Sequence, residues 1–262
     1  LIASTAPLTK LPPARAGGPS AIAVSVAGPG HIVEGRGCDD ASGCDVVGTY
    51  VLVAVSDGLG SVPRGAEGAE LAVAASLQAG RGFIAETVLF DLDELVWEMT
   101  IGARRSLEAA TADPRELACT LIVCAGEGTA IATAHIGDGA VVGDHSGDLF
   151  VVSSPGNSEY VNEVEHLGQK NWLSALRISI RDPVSRFAAF TDGLQRAALK
   201  RVENGWAPFA GFLDPLFQHF TSRDDHEELR REIERLLSGP RLSEHSEDDK
   251  SLAFGLLGDD RR

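Results

Sequence analysis

The chain has 262 residues, 44% of them hydrophobic and 23% charged, and carries a formal net charge of −15. This length accommodates one large core, and so acidic a balance leaves no basic field to hold phosphate backbones, which argues against nucleic-acid binding. No apolar run reaches the length of a membrane-spanning helix, and Cys38, Cys44, Cys119 and Cys124 lack zinc-site spacing. The expectation is a soluble, cytoplasmic monomer with no membrane association.

Residues 1–19 gather Pro7, Pro12, Pro13 and Pro19 with Gly17 and Gly18, and read as a loose leader without the features of a signal peptide. Alternation over 21–26 predicts a strand, and the stretch rich in glycine and acid that follows predicts an irregular loop. The next strand spans 46–55. Helices are expected over 67–78 and 89–112, the second stopped by Asp113-Pro114. Four apolar runs within 116–153 predict an antiparallel meander, in which Cys119 and Cys124 face opposite ways as small buried hydrophobes. The polar stretch 154–176 reads as a mobile flap. Strands resume at "RISI" and "RFAAF" around Asp182-Pro183, and 194–221 is expected to be mostly helical. An amphipathic helix then places Leu229, Ile233, Leu236 and Leu237 on one face and ends at Gly239-Pro240. A polar loop delivers Asp248 and Asp249 to a final strand, "SLAFGLL", leaving 259–262 as a tail.

Three apolar runs end in Asp-Gly, at Asp57-Gly58, Asp138-Gly139 and Asp192-Gly193. One such pair is an ordinary turn. Three of them, together with Asp248 at a fourth strand boundary, suggest carboxylates converging on one sheet edge. Such crowding raises carboxylate pKa values unless a cation compensates it, and magnesium or manganese suits an all-oxygen donor set. A glycine after the acid also lets a backbone carbonyl approach closely. "VLFDLDEL" at 88–95 has the Asp-x-Asp of an aspartyl-phosphate loop without the Gly-Thr that should follow. Its apolar positions Leu89, Leu92, Val96 and Ile101 fit a helix instead.

In order and spacing, "CDD", "VSDGLGS", "CTLIV", "AHIGDGAVV", "FAAFTDGL" and "DDKSLAFGLL" resemble the metal-dependent serine/threonine protein phosphatases of type 2C, in their compact bacterial branch. The resemblance covers residues 20–258 and implies an α+β fold, a four-layer α-β-β-α sandwich with two largely antiparallel sheets. It implies hydrolysis of phosphoserine and phosphothreonine in a phosphorylated protein substrate, by water activated between two Mn2+ or Mg2+ ions. Asp57, Asp192 and Asp248 would be the catalytic metal-binding acids, with the Gly58 carbonyl and Asp40 as further ligands and Asp39 in the outer shell. Asp138 would support a third, weaker ion. A cognate serine/threonine kinase, or the targets of one, would be the partner in signalling.

Several positions depart from the family pattern. The arginine expected to hold substrate phosphate is replaced by Gly35, leaving Arg36, Arg64 or His31 as substitutes. Asp39 replaces Glu or Gln, Leu59 stands where some relatives carry a histidine, and Asp249 replaces Asn. The alternative to an active phosphatase is a catalytically weak phosphatase-like module that binds a phosphoprotein or regulator.

Overall fold

A computed structural model describes residues 18–156, 164–222 and 225–258. In chain order it runs β1 (Ser20–Val26), α1 (Pro29–Glu34), β2 (Asp40–Val47), β3 (Tyr50–Asp57), α2 (Gly65–Glu86), α3 (Leu92–Ala110), β4 (Leu121–Glu127) and β5 (Ala130–Ile136). There follow β6 (Ala140–His145), β7 (Asp148–Ser153), α4 (Trp172–Ala175), β8 (Arg177–Arg181), β9 (Arg186–Phe190) and α5 (Gln195–Ala198). The last elements are β10 (Leu199–Val202), β11 (Gly205–Pro208), α6 (Ala210–Ser222), α7 (His226–Leu237), α8 (Pro240–Ser243) and β12 (Lys250–Leu256).

Two five-stranded sheets form, in the orders β2-β3-β4-β5-β8 and β1-β12-β9-β6-β7, and every pairing within them is antiparallel. Strand β3 shows why they stack. Val51, Val53 and Val55 face the other sheet, whereas Leu52 and Ala54 face α2 and α3, so both faces are buried and the run is apolar without alternation. On the second sheet, Phe254 of β12 packs against Phe217 and Phe220 of α6, and Leu229, Ile233 and Leu237 of α7 complete that layer. The result is the α-β-β-α sandwich. Cys119 lies in the core beneath the helices and Cys124 in the core between the sheets, on opposite faces as their spacing requires.

Several local expectations are corrected. The loop expected after residue 26 contains α1 and β2, and β2 pairs with β3 from Asp40↔Asp57 to Val47↔Tyr50. Its half-exposed "DASGCDVV" carries no apolar alternation, so the pairing is imposed by β3. Helix α2 runs to Glu86, past Gly80, where Leu52 and Met99 pack against the bare backbone. Asp91 starts α3 through a capping box with Glu94, which explains the acids of "VLFDLDEL". The expected meander is two hairpins in different sheets, because the chain crosses between them at 137–139. Asp182-Pro183 is likewise a crossing, from β8 to β9. The region expected to be helical over 194–221 contains the β10–β11 hairpin, in which Arg201 lies over the Trp206 ring. On α7, Leu236 is 42% exposed and does not share the buried face.

The leader and tail fall outside the described residues except for Gly18 and Pro19. The expected flap does so in part, at 157–163. Its described second half is anchored: Leu167, Trp172 and Ala175 are buried, Arg104 donates to the Leu167 and Gln169 carbonyls, and Trp172 stacks on Trp97.

Phe254→Ala should leave a cavity beside the Phe217 and Phe220 rings and lower unfolding free energy by about 3 to 5 kcal/mol. Urea denaturation monitored by circular dichroism checks this; a loss below about 1 kcal/mol would mean that the α6–β12 layer is not a packed core.

Candidate active site

Antiparallel pairing decides where the acids meet. Asp40 opens β2 opposite Asp57, which closes β3. Asp138 lies in the crossing after β5, Asp192 begins a 3-10 turn after β9, and Asp248 precedes β12. All therefore stand at one end of the sandwich, between the two sheets.

Carboxylate oxygens of Asp57, Asp138 and Asp192 lie within 4.8 Å of one another. Asp138 Oδ1 is buried without a hydrogen-bond partner among the described residues. Burial raises the pKa of Asp57 well above the usual carboxylate range, reinforced by Asp40, Asp192, Asp248 and Asp138. Burial, with the charges of Asp138 and Asp248, pushes Asp192 up to about 7. Asp138 is raised by burial and Asp248, against the opposing pull of Arg177. Asp40 is also raised by burial and by Asp249 and Asp192, although Thr191 Oγ1 donates to it at 2.6 Å. Asp248 is exposed at the rim of a cleft of about 780 Å³ that Asp192 also lines. This is an all-oxygen donor set with uncompensated charge and an unsatisfied buried oxygen, which fits a hard divalent cation.

Space governs two of the Asp-Gly pairs. A Cβ on Gly58 would lie 2.4 Å from the Gly65 carbonyl carbon at the start of α2, and one on Gly193 would lie 1.9 Å from the Asp249 carbonyl oxygen. Glycine thus allows the segments bearing the acids to touch. Gly58 N–H donates to the Asp39 carbonyl, while on either side Leu59 N–H donates to the Ala118 carbonyl and Thr120 N–H to the Asp57 carbonyl. In extended backbone a residue's N–H and C=O share one edge, so the Gly58 carbonyl also faces away from Cys119, with which Gly58 forms an antiparallel bridge.

A second group, His31, Asp39 and Asp249, is brought together within 4.8 Å. Asp249 is its hub: Oδ1 accepts from Gly28 N–H at 2.7 Å, and Oδ2 accepts from His31 Nδ1 at 2.9 Å and from Asp39 N–H. One carboxylate thereby ties α1, the start of β2 and the start of β12. Of the sequence's phosphate-binding candidates, Arg36 lines the same cleft as Asp192 and contacts Asp39 and Glu34, with His31 beside it. Arg64 is not brought there. It pairs with Glu67 and Glu116 and lines a separate depression with Val62 and Pro63.

Sequence reasoning missed several supporting residues. Thr191 Oγ1 also accepts from Ser251 N–H, and Thr120 Oγ1 accepts from Asp57 N–H. Gln195 Nε2 donates to the Asp138 carbonyl at 2.9 Å. Lys250 is 1% exposed, and its ammonium donates to the Ser246 and Asp248 carbonyls, holding the loop that carries Asp248. Thr120, Thr191 and Lys250 stand inside the motifs "CTLIV", "FAAFTDGL" and "DDKSLAFGLL", the one signal that could have found them.

A four-layer sandwich with such a carboxylate cluster at one end defines a metal-dependent hydrolase. The family described as Protein phosphatase 2C matches residues 27–238. The chain is 31% identical to serine/threonine-protein phosphatase 3 of Escherichia coli (strain K12) over 246 residues, covering 88% of this chain and 96% of that protein. Among solved structures it is similar to a bacterial serine phosphatase, at TM-score 0.63 and 13% identity over 92% of this chain and 99% of that one. It is also similar to the catalytic domain of the serine/threonine protein phosphatase PstP in complex with 2 manganese ions, at TM-score 0.60 and 15% identity over 92% and 99% of the respective chains. The chain belongs to the protein phosphatase 2C family and is a serine/threonine phosphatase.

The raised carboxylates have a measurable consequence without metal. A group whose pKa is higher folded than unfolded stabilises the fold fully below its unfolded value and loses that contribution as pH rises through its folded value, for Asp192 through about 7. In EDTA, the melting temperature of wild type relative to Asp192→Asn should therefore fall from pH 5 to pH 8. Excess Mn2+, which binds the ionised form, should reverse that trend. A relative melting temperature in EDTA that rises with pH would contradict the crowding.

Proposed function

We propose that residues 20–258 form the phosphatase domain and that it hydrolyses phosphoserine and phosphothreonine in a phosphorylated protein by direct transfer of the phosphoryl group to water. The observation that carries this reading is the trio Asp57, Asp138 and Asp192 with its unsatisfied buried oxygen. Asp57, Asp192 and Asp248 would hold two Mn2+ or Mg2+ ions, together with the Gly58 carbonyl and Asp40, and Asp138 would support a third, weaker ion. When bound, such cations compensate the carboxylate charge, lower the pKa of water and draw charge from the phosphoryl oxygens.

The chain's own residues fit an attack by water. Cys38 sits beside Asp39 and Asp40, but burial, reinforced by Asp40 and Asp249, pushes its thiol up, so it stays protonated and is no nucleophile at neutral pH. His31 is engaged by Asp249 and Asp39 stands next to it, which assigns this group to holding the cleft wall. Leu59 offers no proton, so the leaving alkoxide takes its proton from water. The products are inorganic phosphate and a free serine or threonine hydroxyl, and the partner chemistry is that of a serine/threonine kinase or its targets.

Asp57→Asn should reduce turnover of a phosphothreonine peptide by more than about a hundredfold, because a carboxylate that would hold a divalent cation has no neutral substitute. The same change should raise the melting temperature in EDTA, since it relieves repulsion. Steady-state rates and calorimetry on one preparation check both, and an unaltered rate would rule out the assignment. Asp138→Asn keeps the local turn bonds and removes only the charge. It should retain two tight ions by metal titration while turnover falls more than about tenfold. Loss of both tight ions would place Asp138 in the core pair, and wild-type turnover would leave it only a turn former.

A further inference from the structure

Two arginines line the cleft with Asp192 and Asp248, and their surroundings differ. Arg36 is engaged by Asp39 and by Glu34 at 3.4 Å. Arg196 is exposed to the cleft and makes no hydrogen bond or ion pair with any described residue. Its backbone is nonetheless firmly placed. The 3-10 turn from Asp192 runs directly into α5, and Leu194, Ala197 and Ala198 are buried beneath it. Gln195, the preceding residue, donates to the Asp138 carbonyl. Asp192 and Arg196 line the same cleft. Asp192 turns its carboxylate toward Asp57 and Asp138, and the Arg196 guanidinium lines the cleft without a partner among the described residues.

In a chain with 38 acids and 23 lysines and arginines, an exposed arginine in an acidic cleft that has no carboxylate partner among the described residues is available to a ligand. The planar fork of a guanidinium matches two phosphoryl oxygens, and its charge persists at every working pH. We propose that Arg196 anchors the phosphoryl group of the substrate, in the role left open by Gly35; this rests on the phosphatase reading of the cleft. The anchor then comes from the segment that also carries Asp192 and not from the α1–β2 wall, where Arg36 is engaged by its neighbours. Substrate phosphate would be gripped from one side of the cleft, with its oxygens directed at the carboxylate cluster.

The test measures KM and kcat for a phosphothreonine peptide and for p-nitrophenyl phosphate, and binding of inorganic phosphate by calorimetry on manganese-loaded protein. Arg196→Ala should raise KM for both substrates and weaken phosphate by about tenfold to a hundredfold, the scale of a lost charge-assisted fork, with kcat within about threefold of wild type. Arg196→Lys should recover part of the loss, and Arg36→Ala should shift phosphate affinity by much less. Unchanged phosphate affinity in Arg196→Ala overturns the proposal, and so does a KM increase confined to the peptide, which would assign Arg196 to the flanking chain. Weakened manganese binding in Arg196→Ala overturns it as well, by making the residue a structural support. If the wild type turns over neither substrate, the reading of the cleft fails, while the phosphate titration still decides the role of Arg196.

Discussion

Repulsion among buried carboxylates at one end of the sandwich is the constraint to which the rest of this molecule answers. Asp57, Asp138 and Asp192 approach within 4.8 Å, with Asp40 and Asp248 adding to the field. Bringing ionised groups this close in a water-poor space is unfavourable without a cation, and the protein accepts that cost because the same crowding creates affinity for a hard divalent ion. The surrounding scaffold must therefore be rigid enough to hold like charges together when no ion is present.

The rigidity comes from packing and from a few polar ties. The two sheets meet through a largely apolar core crossed by the His135–Ser153 and Ser25–Ser42 hydrogen bonds, which resists sliding of the strands that end in the acids. At the polar end, Asp249 receives three donors from two other segments, Thr191 bonds both Asp40 and the Ser251 amide, and the Lys250 ammonium clamps the loop carrying Asp248. Gly58 and Gly193 remove the side chains that would keep these segments apart. Asp249 illustrates how a departure from the family pattern is absorbed locally: a carboxylate accepts from every direction and has gathered His31 as an additional donor.

The cleft is asymmetric in charge. On the α1–β2 side, Arg36 is already engaged by Glu34 and Asp39, and His31 by Asp249. The segment that begins at Asp192 lines the same cleft and presents Arg196 without a partner among the described residues. Where a substrate anion is met thus depends on which arginines have already found partners, and no count of charges along the chain contains that information.

The sequence by itself determined that apolar runs end in Asp57, Asp138 and Asp192, that an acid pair precedes the last strand, and that the order of these motifs matches the phosphatase family. It also determined α3, through the helical spacing of Leu92, Val96 and Ile101, and the buried face of α7 at Leu229, Ile233 and Leu237. These are local signals, written in periodicity and in the residue that starts or stops an element. Tertiary structure alone decided that β5 and β6 belong to different sheets, that "DASGCDVV" is a strand, and that 199–208 folds into a hairpin, because pairing depends on a distant partner that periodicity does not name. It decided too that Asp138 joins Asp57 and Asp192 and that Arg64 faces elsewhere. It assigned Asp249 to tying α1 to β2 and left Arg196 without a partner among the described residues. Each of these follows from the three-dimensional convergence of segments far apart in the chain, where distances of a few ångströms fix which charges meet and which remain open.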